Sequence, residues 1–183
     1  MLGQSTLEAL RTTATTADAG NLDALFIGDG VLGEAVTLAA AVAACTTRIL
    51  IGVRSELEGH AHRHPTVLAR DMTTLDLLSH GRAVLAFGAP FSQDTTEAAA
   101  LCRDMWRNGV AASEGPTYPV AGAINRPAPY SSHSPKIALD LTTGHEPNPE
   151  LLALADIVLV PDHQPPAALE LPRHLQVCQI LRA

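Results

Sequence analysis

Three histidines alternate at His60, His62 and His64. On an extended segment alternate side chains point to one side, so imidazoles at this spacing could hold a metal ion. No cysteine or carboxylate completes the set at a recognised spacing, and no metal is expected. A single histidine still suits acid–base work, because its ordinary pKa of about 6.5 lies near neutrality. Thr142, Thr143 and Gly144 offer two hydroxyls and a glycine after an apolar run. Phosphate oxygens accept from hydroxyls, backbone N–H groups and helix N-termini, so this loop suits a phosphate; plain helix capping is the other use of such residues. Cys45, Cys102 and Cys178 lie far apart, share no ligand spacing and are odd in number. Reduced, mostly buried thiols are expected, not a disulfide framework. No Gly-x-Gly-x-x-Gly follows a strand, so any reducing equivalents must arrive from elsewhere.

The elements that must position these residues are short and apolar. Hydrophobic residues make up 46% of the 183-residue chain and aromatic residues only 3%, so the core must be Ala, Leu, Val and Ile. Such a core suits close helix-on-sheet packing. Net charge is −7, with 12 Lys and Arg spread thinly, which leaves no electrostatic footprint for nucleic acid. The first twenty residues lack the basic and apolar regions of a signal peptide. The longest apolar run, around Ala35 to Ala44, is too short to span a bilayer. A soluble, cytoplasmic protein is expected.

Ser5 with Glu8 resembles a capping box, and Leu7, Leu10, Ala14 and Ala17 follow at helical spacing up to Gly20. Buried strands are expected at Leu22–Ile27, Ile49–Val53, Ala83–Phe87, Lys136–Leu141, Ile157–Val160 and Leu175–Leu181. Helices are expected from Gly33 to Cys45, from Pro65 to about Ser79, from Thr95 to Trp106 and from Pro149 to Leu154. Pro65 suits a first helical position and Gly81 a C-terminal stop. The stretches 115–135 and 161–173 are Pro-rich loops without periodicity. Strands alternating with helices, and apolar throughout, imply an α/β fold with a mostly parallel sheet covered on both faces. One domain over residues 1–183 is expected.

One stretch is more specific. Thr46-Thr47-Arg48-Ile49-Leu50-Ile51-Gly52 is followed by Arg63-His64-Pro65, Leu68-Ala69, Thr74-Leu75-Asp76, Leu78-Ser79, Gly81-Arg82 and Gly88. In register, these residues resemble the luciferase-like flavin oxidoreductases. Trp106, Gly109, Ser113, Gly115, Tyr118, Pro127, Pro129 and Pro135 extend the likeness. The resemblance implies an incomplete TIM-type (β/α) barrel, lacking the first and last strands of the family fold. It implies binding of FMN, or of the deazaflavin F420, at the C-terminal ends of the strands. Two open sheet edges would then invite coverage, and a homodimer is expected, with Leu175–Leu181 exchanged as one way of closing the gap.

The resemblance also places site residues. Gly52, Val53, Arg54 and Ser55 would back the flavin ring, at a point where the family carries a non-proline cis peptide or a bulge. Asp29 ends the second family strand beside Gly30, which stands where relatives have a histidine; Asp29 would contact cofactor or cap the helix at Gly33. Phe87, Gly88 and Ala89 close the next strand near the cofactor. Thr142, Thr143 and Gly144 would take its phosphate or polar tail. His60 could replace the lost histidine as proton donor, and Arg54, on the catalytic side, joins it as a catalytic candidate. Arg82 is expected to be structural and Trp106 to be core. The activity implied is a two-component monooxygenase, taking reduced FMN from a separate flavin reductase and using O₂ on a small organic substrate. An F420-dependent hydride-transfer oxidoreductase and a non-catalytic flavin-binding or structural subunit are the alternatives.

Overall fold

Apolar runs bounded by Gly, Pro and Asp form strands here because each can be buried on both sides. The computed structural model describes residues 2–20, 22–28, 34–55, 63–130, 132–133, 135–161 and 171–180. Along the chain these give α1 (Leu2–Ala19), β1 (Ala24–Gly28), α2 (Ala35–Ala43), β2 (Leu50–Ser55), α3 (Pro65–Ser79) and β3 (Ala83–Phe87). There follow α4 (Gln93–Asn108), β4 (Val110–Ser113), β5 (Val120–Ile124), β6 (Lys136–Asp140), α5 (Pro149–Leu154), β7 (Ile157–Pro161) and β8 (Gln176–Ile180). Six strands form one parallel sheet in the order β1-β2-β3-β6-β7-β8. A closed barrel of this type has eight. The expected incomplete TIM-type barrel is therefore the observed fold.

The two sheet faces carry different cores. Ile27, Ile51, Val53, Leu85, Phe87, Ile137, Leu139 and Val158 pack against helical residues such as Leu38, Leu68, Met72, Leu75, Met105 and Leu151. Val84, Ala86, Ala138, Ile157 and Leu159 form a smaller cluster on the opposite, barrel-interior face, with Phe26, Leu50 and Cys178 against it. Phe26 and Gly52 are register partners on adjacent strands. A Cβ on Gly52 would stand 2.0 Å from Phe26 Cδ1, so the ring lies across β2 where only glycine admits it.

Several boundaries differ from expectation. Helix α1 begins at Leu2, so Ser5 lies inside it. Helix α2 begins at Ala35, and its cap is Glu34, which accepts from the backbone N–H groups of Val36 and Thr37 at 2.8 and 2.9 Å. Glutamate is an uncommon cap, so the sequence points to Gly33 as the helix start and to Asp29 as its cap, whereas the structure uses Glu34. The stretch 115–135 is not wholly a loop: β5 pairs antiparallel with β4, with a register shift at Ala111/Ala112. Glu97 on α4 holds the hairpin tip, accepting from the backbone N–H groups of Tyr118 at 2.8 Å and Thr117 at 3.2 Å. Helix α3 starts at Pro65 as expected and ends through left-handed His80 (φ 57°) and Gly81 (φ 83°). Most of 161–173 lies outside the described residues.

Polar anchors fix the helices to the strand starts. Arg82 donates to the carbonyls of Ser79 (2.7 Å), Ile49 (2.9 Å) and Thr46 (3.0 Å), a structural role at the N-terminal side of the sheet. Trp106 is buried and donates from Nε1 to the Ala69 carbonyl at 3.0 Å. Asp18 at the end of α1 accepts from the backbone N–H groups of Ile49, Thr47 and Arg48, each at 2.9 Å. Those N–H groups, Ile49 first, hold its carboxyl well below the usual carboxylate range.

Two outcomes follow from this packing. Gly52→Ala should lower stability by about 1–3 kcal/mol through overpacking against Phe26, and adding Phe26→Leu should recover part of it, as read by chemical denaturation. A carboxyl whose pKa folding lowers stabilises fully above its ordinary value and loses that contribution as pH falls towards the lowered one. The difference in melting temperature between wild type and Asp18→Asn should therefore shrink as pH drops from about 4 towards 2.

Candidate active site

Parallel strands all end on one side, and in barrels of this kind that side carries the chemistry. Here β1, β2, β3 and β6 end at Gly28, Arg54-Ser55, Phe87-Gly88 and Asp140. Alternation along a strand then decides which side chains share a face. Arg54 follows Leu50 and Gly52 on the barrel-interior face, and Asp140 follows Ala138 on the same face two strands away. Arg54 reaches over β3 to put Nη2 2.7 Å from Asp140 Oδ2. The flanking glycines do not obstruct the path: a Cβ on Gly88 would stand 3.8 Å from that Nη2, and one on Gly28 would stand 3.9 Å from Arg54 Cβ.

The two partners are unequally exposed, with the Arg54 side chain 40% accessible and that of Asp140 1%. Asp140 Oδ1 accepts from the Thr142 backbone N–H at 2.9 Å and from its hydroxyl at 2.6 Å. Oδ2 is buried and takes no aligned hydrogen bond; its contact with the guanidinium is short but ionic. One carboxylate thus holds a cation from β2 with one oxygen and the first residues of the β6–α5 loop with the other.

That loop turns at Gly144, with φ 76° and its N–H bonded to the Leu141 carbonyl at 3.1 Å. Thr143 Oγ1 lies 3.2 Å from His145 Nδ1. Helix α5 starts only at Pro149 and is capped by Asn148, so Thr142, Thr143 and Gly144 cap no helix. At the same end of the sheet, Arg63 bridges Glu34 (3.0 Å) and Asp71 (2.7 Å), tying the start of α2 to α3. Burial alone would raise the Glu34 carboxyl, but hydrogen bonds from Thr37 and Val36, with the Arg63 charge, bring it below its usual value.

The expected site residues divide clearly. Arg54, Gly88 and Thr142 gather around Asp140. Val53 and Phe87 turn their side chains into the helix-side core, leaving only backbone for the strand-end face. Ser55 shares the Val53 side by alternation and is half-buried, as is Ala89. The interior face of Gly52 is filled by the Phe26 ring. The implied non-proline cis peptide is not found within Gly52–Ser55, and β2 pairs there in unbroken register with both neighbours. The cis peptide bonds among the described residues are Ala89–Pro90 and Arg126–Pro127. His60 and Asp29 lie outside the described residues. Asp140 escaped the sequence reading, although an acid closing an apolar parallel strand was the signal that could have found it.

A hollow of about 290 Å³ lies elsewhere, lined by Val67, Arg70, Asp71, Thr74, Arg126 and Pro127. Its lining comes from α3 and from Arg126 and Pro127 and includes none of the residues gathered around Asp140, and the convergent polar groups there favour the strand ends as the site.

The model of the luciferase-like monooxygenase family matches residues 1–169. The chain belongs to that family. Among solved structures, coenzyme F420-dependent tetrahydromethanopterin reductase from Methanopyrus kandleri is similar with TM-score 0.67 and 17% identity, over 85% of this chain and 52% of that one. The monooxygenase RslO1 from Streptomyces bottropensis follows with TM-score 0.65 and 19% identity, over 86% and 65%. The oxygenating constituent of 3,6-diketocamphane monooxygenase from the CAM plasmid of Pseudomonas putida, in complex with FMN, has TM-score 0.60 and 18% identity, over 85% and 52%. This luciferase-like chain therefore spans between 52% and 65% of those structures' own lengths. No curated protein matches it by sequence.

Removing Arg54 would leave a buried carboxylate without its counter-charge. Arg54→Ala should lower stability by about 1–3 kcal/mol in chemical denaturation. Gly88→Ala, whose new methyl meets ordinary contact distances, should stay within about 0.5 kcal/mol of wild type.

Proposed function

We propose that this chain is the oxygenating part of a two-component, flavin-dependent monooxygenase. It would take reduced FMN from a separate flavin reductase and use O₂ to oxygenate a small organic substrate in the cytoplasm. The observation that carries this reading is the half-exposed Arg54 guanidinium, fixed at the strand ends between two glycines, in a chain of this family. The glycines leave flat room suited to a planar ring, and the guanidinium offers N–H groups to its oxygens. The residues present thus fit a flavin.

Reduced FMN, when bound, supplies the electrons that activate dioxygen, and the protein's part is binding, orientation and exclusion of water. Arg54 would contact a flavin oxygen, Gly28 and Gly88 would admit the ring, and the Thr142–Gly144 turn would take the phosphate or polar tail. The backbone of Val53, Ser55, Phe87 and Ala89 would complete the floor. Asp29 and His60 keep their proposed roles at the cofactor and in proton donation. Strands β1 and β8 end the sheet order and leave open edges, which supports coverage by a second copy in a homodimer. Among the described residues no helix is long and apolar enough to cross a membrane.

The F420-dependent reading draws support from the fold shared with the Methanopyrus kandleri reductase. Gly30, standing where relatives have a histidine, weakens it, because hydride transfer leans more heavily on acid–base side chains. A flavin-binding subunit without turnover is the remaining reading.

Absorption titrations of the purified protein with FMN, reduced FMN and F420 separate these. A product heavier by one oxygen atom, formed only with O₂ and a flavin reductase, is the expected outcome across a panel of small organic substrates. Selective F420 binding would favour hydride transfer, flavin binding without product would favour the subunit, and no binding of any of the three would overturn the assignment.

A further inference from the structure

A guanidinium can face a planar ligand only if something else fixes its direction, since its long stem has several rotatable bonds. In this chain the fixing group is buried and comes from another strand. Asp140 is 1% exposed, yet it engages two elements that the proposed function assigns to different ends of one ligand. Its Oδ2 holds Arg54 at 2.7 Å, and its Oδ1 holds the Thr142 backbone N–H and hydroxyl at 2.9 and 2.6 Å.

We infer that Asp140 is the positioning residue of this site: it sets Arg54 and the Thr142–Gly144 turn in one fixed relation, so that Arg54 meets an anionic oxygen of the flavin. This rests on the flavin reading of the strand-end site. Three features beyond the ion pair support it. Gly88 lies beside the path of Arg54 over β3, where even a Cβ would stand 3.8 Å from Nη2, so the arginine crosses the face to Asp140 unobstructed by that strand. Oδ2 takes no aligned hydrogen bond, so the guanidinium is not locked in a two-bond fork with the carboxylate, and the Arg54 side chain stays 40% accessible. Thr142 has both of its donors committed to Asp140, so the hydroxyl acts through the turn it closes and not by touching ligand. A buried acid with this wiring has no ligand contact of its own; its effect passes through Arg54 and the turn.

An anionic oxygen of a flavin has two sources, the ring, which is negatively charged at its N1–C2=O edge when reduced, and the phosphate. Both offer the same chemistry to a guanidinium, and riboflavin, which lacks the phosphate, tells them apart.

The experiment is anaerobic equilibrium titration of reduced FMN and reduced riboflavin into the full-length wild type, Asp140→Asn, Arg54→Gln and the double variant, with a thermal melt of each. Each single change should weaken reduced FMN by about tenfold or more, the scale of a charge-assisted hydrogen bond. The double variant should be no weaker than the worse single, because the two residues act as one unit. If riboflavin suffers equally, the ring is the ligand; if riboflavin is unaffected, the phosphate is. Either result supports the inference. Should Asp140→Asn melt too low to titrate, Thr142→Val removes only the hydroxyl bond to Oδ1 and keeps the charge pair, so it should stay folded and weaken reduced FMN measurably. The inference is overturned if the variants bind both flavins as wild type does, or if the losses in the double variant multiply. A wild type that binds neither flavin would overturn the flavin reading itself, and this inference with it.

Discussion

The parallel register of β2, β3 and β6 is the constraint on which this molecule depends. Arg54 pairs with Ala86, and Ala86 with Ala138, so the residue two further along each of the last two strands, Gly88 and Asp140, rises beside the arginine. A slip of one residue in either pairing would turn Asp140 or Arg54 into the helix-side core, where neither charge has a partner. The register is fixed in turn by burial on both faces: Leu85, Phe87, Ile137 and Leu139 one way, Val84, Ala86 and Ala138 the other.

What holds that register is concentrated at the opposite end of the sheet. Arg82 gathers the end of α3 and the approach to β2 through backbone carbonyls, and Asp18 brings the end of α1 to the same approach through backbone N–H groups. Arg103, nearly buried, meets the Leu154 carbonyl and Asp156, both at 2.6 Å, and Asp156 takes the Ile137 N–H at 2.8 Å. Stability and chemistry are thus divided between the two ends of the strands, as is usual for barrels. The polar groups that serve the fold pair with backbone, whereas Arg54 is left half-open.

The sheet is also unfinished. Six parallel strands curve as part of a barrel, and among the described residues β1 and β8 each have a partner on one side only. The three solved structures compared above are longer than this chain, which covers only 52–65% of their own lengths. An edge strand with unpaired backbone groups is a surface for pairing or coverage, and this gives the homodimer reading its physical basis.

Local pattern was enough for much of this. The six sheet strands, the Pro65 helix with its stop at Gly81, the structural Arg82, the core Trp106 and the family itself were legible in the sequence, because each depends on neighbours along the chain. Gly52 could be flagged but not explained: the ring that fills its face comes from β1. Strand β5 was hidden because its stability derives from pairing with β4, not from its own periodicity. In the sequence Asp140 lies inside the expected strand Lys136–Leu141; only the folded sheet, by setting β2 and β6 on either side of a glycine, makes it the partner of Arg54. The sequence determines which segments must be buried and in what form, since burial and periodicity are local. Which charged groups then meet was decided by the tertiary structure, since the register between distant strands sets it.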